Sequence, residues 1–233
     1  MNPESIPLTD LELGVIEELR TNYVEISDGL LKSIKELFRK TRILLTKVAN
    51  SSDNEIRESQ LALFGILNRT NELLQGGIQQ VTYSNKHVWG ACFRGLIETF
   101  AAIAWVSEKP SRLPALVQGD GVKLGKLLNV VYKRLQGLQK DYARLSSFAH
   151  PQSTSLLLSM TPVSEAPRVA IIAVPAPSLS TNEAQEAIEN LIGICVLIHK
   201  EIQALIESHP EVINSGKIVA EKKWKGQPPD DIC

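Results

Sequence analysis

VWGACFRGLIETFAAIAWV, residues 88–106, is apolar nearly all the way round a helical wheel. A helix of that kind belongs either at the centre of a protein or in a bilayer. Its length is about right for a span. Arg94 and Glu98 in its middle decide against lipid, where each charge costs at least ~3 kcal/mol. They lie four residues apart, on one helical face. Buried charges are costly unless paired, so the two are expected to meet. The pair then has one of two roles: an ion pair that fixes helix register, or the wall of a polar pocket that orients a ligand or a catalytic group.

Working outward, this central helix is expected over 84–107, stopped by Lys109-Pro110. Apolar residues recur at helical spacing through most of the remaining chain. Helices are expected at 8–23, with Thr9 or Asp10 as cap, and at 24–48, with Leu30, Leu31, Ile34, Leu37, Phe38, Leu44 and Leu45 inward. The polar run 50–54 breaks the pattern, and a third helix follows over 54–74, ended by Gly76-Gly77. A short piece near 113–117 precedes helices at 122–138 and 140–149, the second ended by Pro151. Then the character changes. The runs 155–160 and 168–174, rich in Leu, Val and Ile around a Pro-containing turn, predict a β-hairpin. A last long helix opens at Ser180, with Glu183 at capping-box spacing, and runs to about Ser208 before His209-Pro210. Its stretch 191–206 is interrupted by His199, Lys200 and Glu201, so it too reads as core and not as a membrane span.

The fold class is therefore all-α: a helical bundle with a small β-hairpin inserted before the last long helix. One domain is expected over 1–212, with helices of the N-terminal part at 8–75 and a core at 84–208, and a mobile tail over 213–233. Aromatic residues make up only 5% of the chain, so the core must be built from Leu, Ile, Val and Ala, which suits helix packing.

A net charge of −1 makes the whole chain no general nucleic-acid binder, but the charge is uneven. Acids dominate before Leu31, with Arg20 as the one base; Lys32, Lys35, Arg39, Lys40, Arg42 and Lys47 follow against Glu36 alone. A second basic stretch holds Lys123, Lys126, Lys133, Arg134, Lys140 and Arg144. The plain reading is solvated helix faces; the functional one is a local anion-attracting surface. Cys92, Cys195 and Cys233 are widely spaced and form no metal or redox motif, which fits a reducing compartment. With no apolar leader at the N-terminus, a cytoplasmic location is expected. The four histidines lack metal-ligand spacing, and no phosphate-cradling glycine loop or nucleophile elbow is present, so neither metal nor cofactor is expected.

DYARLSSFAHP, residues 141–151, is the other stretch with chemistry in it. Arg144 offers a fixed fork for a phosphate, and His150 titrates near neutrality and can move protons. Five residues separate them, and Pro151 pushes His150 out of helical geometry. The plain reading is a histidine capping a helix end beside a proline. Ser146 and Ser147 lie close to His150, but no third partner supports a hydrolase triad.

RGLIET (94–99), followed some fifty residues later by YARLSSFAHP (142–151), resembles a family of prokaryotic helical proteins with an R-x-x-x-E helix and a Y-x-x-L-S-x-x-x-H-P helix end. That family is similar to the HEPN superfamily, whose ribonucleases carry an Arg and a His four to six residues apart. The likeness covers roughly 85–151. It departs at Leu145, where HEPN nucleases often have a polar residue, and in the longer N-terminal part. The resemblance implies metal-independent RNA cleavage of a toxin or defence kind, in a cleft between two subunits of a homodimer. Arg144 and His150 would be catalytic, with Arg94, Glu98, Tyr142 and Ser146 as the supporting pocket. Our own inference, not a rule of the family, is that Glu98 would orient His150 and Arg94 would hold Glu98. A regulatory partner protein is a further implied partner. Because many HEPN-like domains are inactive, the alternative is a non-catalytic helical module that binds a partner protein or a small ligand.

Overall fold

A computed structural model describes residues 6–51, 55–119, 121–149, 160–162, 170–172 and 178–221. Its elements run α1 (Asp10–Asn22), α2 (Asp28–Ala49), β1 (Glu55–Arg57), α3 (Glu58–Thr82), α4 (Lys86–Glu108), a 3-10 turn (Pro110–Leu116), α5 (Leu124–Arg134), α6 (Leu138–Ala149), β2 (Met160–Pro162), β3 (Ala170–Ile172), α7 (Thr181–Ser208), α8 (Pro210–Ile213) and β4 (Ile218–Glu221). The protein is an all-α bundle with a small antiparallel hairpin, β2–β3, before the last long helix.

Local chemistry sets most boundaries. Thr9 and Glu12 form a reciprocal capping box on α1, and Ser180 with Glu183 does the same for α7. Ser27 caps α2 by accepting from the Leu30 amide. The acidic start of the chain meets its basic successor where the buried Glu12 carboxylate accepts from Arg42 of α2, which also donates to the Pro7 carbonyl. Gly137, at φ +95°, separates α5 from α6, so the two expected helices are distinct.

α4 is the hub, packing against α3, α5, α6 and α7. From Leu96 to Val106 it is buried almost throughout, as its sequence requires. Among the described residues, no helix is long and apolar enough to cross a membrane.

Two expectations are corrected. Gly76-Gly77 does not end the third helix, which continues to Thr82. These glycines serve close packing instead: a Cβ on Gly77 would lie 2.8 Å from Leu191 Cδ1 of α7, and one on Gly76 would lie 3.7 Å from Cys92 Sγ of α4. The chain turns at Ser84, at φ +56°, whose hydroxyl accepts from the Leu179 amide at 2.9 Å. The second concerns residues 214–221, part of the mobile tail expected over 213–233. They fold back on the start of α3 instead. Asn214 Nδ2 donates to the Ser51 carbonyl (2.7 Å), Ser59 Oγ to the Ser215 carbonyl (2.8 Å), and β4 pairs antiparallel with β1. Gly216, at φ +86°, makes this possible, since a Cβ there would lie 2.9 Å from Glu58 Cβ. Residues 222–233 of the expected tail lie outside the described residues.

Candidate functional site

Arg94 and Glu98 do pair, and the pair belongs to a larger network. Arg94 Nε donates to Glu98 Oε1 at 2.9 Å, and the Tyr142 hydroxyl of α6 donates to the same oxygen at 2.7 Å. Arg94 Nε also lies 3.1 Å from the Tyr142 oxygen, and its guanidinium carbon lies 5.2 Å from the Tyr142 ring centroid. Tyr132 of α5 meets Tyr142 edge-on at 6.4 Å. The other Glu98 oxygen, Oε2, faces Arg69 of α3 at 3.8 Å, and Arg69 Nε donates to Thr99 Oγ1 at 3.2 Å. Side chains from α3, α4 and α6 thus converge on one carboxylate.

The electrostatics fit a brace. Burial raises the Tyr142 hydroxyl above its ordinary pKa, and the hydrogen bond to Glu98 adds to that, so it stays a donor at neutral pH. For Arg94, burial works against the charge, but the hydrogen bonds to Tyr142 and Glu98 outweigh it and raise the guanidinium above its ordinary value. Both partners of the ion pair are about four-fifths shielded, at 23% and 21% side-chain exposure. That places the pair between a surface bridge worth ~0–1 kcal/mol and a fully buried one whose disruption costs ~3–5 kcal/mol.

Tyr142 is buried and Ser146, four residues on, has a buried hydroxyl without a partner among the described residues. Arg144 does not join them. Two residues from Tyr142, or about 200° round the helix, it is exposed and lines a different groove, between α4, α6 and α7. That groove has a volume of about 890 Å³. Its apolar wall includes Trp89 and Phe93, stacked at 5.7 Å. Its charged wall is mainly acidic: Asp141, Glu183, Glu186 and Glu189 against Lys86 and Arg144. His150 lies outside the described residues; α6 ends at Ala149, one residue before it. Glu98, expected to orient His150, is engaged with Arg94, Tyr142 and Arg69.

Comparison with family models, curated proteins and solved structures gives no match.

Sequence reasoning missed Arg69 and Thr99. A signal for Arg69 exists: Ala62, Ile66, Arg69 and Leu73 follow spacings of four, three and four, so the arginine falls at the edge of the apolar stripe of α3. Beside it a cavity of about 460 Å³ is lined by Arg69, Glu98 and Thr99 together with apolar residues that include Ala62, Leu116 and Leu127. Its size falls within the small-molecule range. Among the described residues, no cluster of His, Cys, Asp or Glu has the makings of a metal site.

Proposed function

We propose that this chain is a HEPN-like ribonuclease acting through Arg144 and His150. The observation that carries the reading is the Glu98–Arg94–Tyr142 brace. It fixes the position and roll of α6, whose exposed face carries Arg144 and whose last described residue precedes His150. Holding a reactive group to sub-ångström tolerance calls for this kind of support, because misplacement by ~1 Å costs on the order of a hundred-fold in rate. In the proposed chemistry His150 moves a proton on or off the ribose 2′-hydroxyl or the leaving oxygen. Arg144 stabilises the charge that develops on the phosphate. The carboxylates beside Arg144 repel an RNA backbone from the groove itself. The scissile phosphate therefore approaches over the far end of α6, where a second copy completes the cleft.

The test is cleavage of a mixed RNA pool by the purified chain in EDTA, alongside His150→Ala and Arg144→Ala. Cleavage by the wild type, lowered at least about a hundred-fold in each folded variant, is expected. Equal cleavage by wild type and His150→Ala would sink the role given to His150.

A second reading is a non-catalytic binding module, and the cavity beside Arg69 and Glu98 favours it. Its apolar walls with a few converging polar groups suit a small ligand with one anionic end, which Arg69 would meet. Absence of cleavage by the wild type would shift the weight to this reading.

A further inference from the structure

The groove between α2 and α7 gathers five cationic side chains among the described residues. Its volume is about 1080 Å³. Lys32, Arg39, Lys40 and Lys47 line it from α2 and Lys200 from α7, against Glu36 as the one carboxylate in the lining. Glu36 faces Lys32 at 3.9 Å, and both side chains are mostly exposed. Lys47 is also 3.9 Å from Glu207, again with both largely exposed, and such pairs are worth little. Lys40 donates to the neutral Gln203 across the groove. The floor is apolar, built by Leu37, Ile43, Ile192 and Val196.

His199, also in the lining, is only 3% exposed. Its Nε2 meets Thr41 Oγ1 at 2.9 Å, while its buried Nδ1 has no partner among the described residues. Unlike the brace, where the central carboxylate is fully engaged, this polar set is incomplete.

Shape decides between occupants. The α2 wall runs from Lys32 to Asn50, which at 1.5 Å per residue is about 27 Å, or five helical turns. That exceeds the reach of a small metabolite. Among the described residues no Phe, Tyr or Trp lines the groove, and the His199 ring is buried, so stacking platforms for nucleic-acid bases are lacking there. An apolar floor between cationic rims, at the length of a helix, complements an amphipathic helix with acidic flanks.

We propose that the α2–α7 groove docks an acidic amphipathic helix of a partner protein. The partner's apolar stripe lies on Ile43, Ile192 and Val196, and its carboxylates take Lys40 from Gln203 and Lys47 from Glu207. This site is separate from Arg144 and stands or falls independently of the ribonuclease reading.

The probe is a blocked synthetic peptide of about 18 residues, with leucines at i, i+3, i+4 and i+7 and glutamates on their flanks, labelled for fluorescence anisotropy. Its counterpart has every glutamate replaced by lysine. The wild-type chain is expected to bind the glutamate peptide and not the lysine peptide. Binding should weaken on the order of ten-fold in Lys40→Glu/Lys47→Glu, whose fold is checked by circular dichroism. No binding of the glutamate peptide at about 0.1 mM, equal binding of both peptides, or an unaffected double variant would each overturn the proposal. So would displacement of the peptide by single-stranded RNA, which would make the groove a nucleic-acid site. A dimer of the chain alone that the double variant dissociates would assign the groove to a second copy instead.

Discussion

The brace around Glu98 and the groove between α2 and α7 treat charge in opposite ways. At the brace, one carboxylate collects two arginines and a tyrosine, and three helices are tied together. In the groove, five cations face one lining carboxylate, and a buried histidine nitrogen has no partner among the described residues. Fully satisfied polar networks rigidify a fold, whereas exposed cations held only by weak pairs can still meet a ligand's carboxylates. The contrast assigns the brace to positioning and the groove to recognition.

The sharpest way to break that contrast is through His199. Burial, with Lys40 nearby adding to it, depresses the imidazole pKa to about 4, so it is neutral in the folded protein. In the unfolded chain it titrates near 6.5. The unfolded state therefore binds more protons between these values. The stability due to a neutral His199 is present above pH 6.5 and is lost as pH falls toward 4. The gap corresponds to roughly 3 kcal/mol at most. Urea unfolding across this range should lose a large part of its pH dependence in His199→Gln; an unchanged slope would place the titration elsewhere.

At the brace, Glu98→Ala leaves a largely shielded Arg94 without its carboxylate and should lower stability by about 2–3 kcal/mol. Tyr142→Phe removes one hydrogen bond to a charged group and should cost about 1–2 kcal/mol. Chemical denaturation of both, with the double variant, should show non-additivity, because the Tyr142 hydroxyl donates to Glu98 itself. Strict additivity would mean that the brace is not one unit.

Gly77→Ala tests the close approach of α3 and α7. Better helix propensity contributes about 1 kcal/mol. The collision with the fully buried Leu191 opposes it by about 1–3 kcal/mol. A net loss of about 1 kcal/mol is expected, and a gain would show that Leu191 has room to turn.

The smallest effect belongs to Arg69→Met. Its side chain is 55% exposed and lies 3.8 Å from Glu98, so less than about 1 kcal/mol should be lost.

Much of this was legible in the sequence because it rests on periodicity and local capping. The all-round apolar run 88–106 announces a central helix, and Arg94 with Glu98 announces a pair. Thr9–Glu12 and Ser180–Glu183 announce helix starts. Other parts depend on contacts between distant segments. Gly76-Gly77 reads locally as a helix end, and only Leu191, more than a hundred residues away, makes it a packing notch. Residues 214–221 lack periodicity, and their order comes from Ser51, Ser59 and β1. At the site, spacing placed Arg94 with Glu98, but not Tyr142 on their shared oxygen, nor Arg144 in an acid-lined groove.

Hydrogen exchange of the α6 backbone amides in Glu98→Gln tests the central claim most directly, namely that this carboxylate holds α6 in place. The account predicts that protection over 138–149 falls on the order of ten-fold or more while α1 and α2, which do not reach Glu98, are unchanged. Uniform loss across all helices, or no loss in α6, would contradict it.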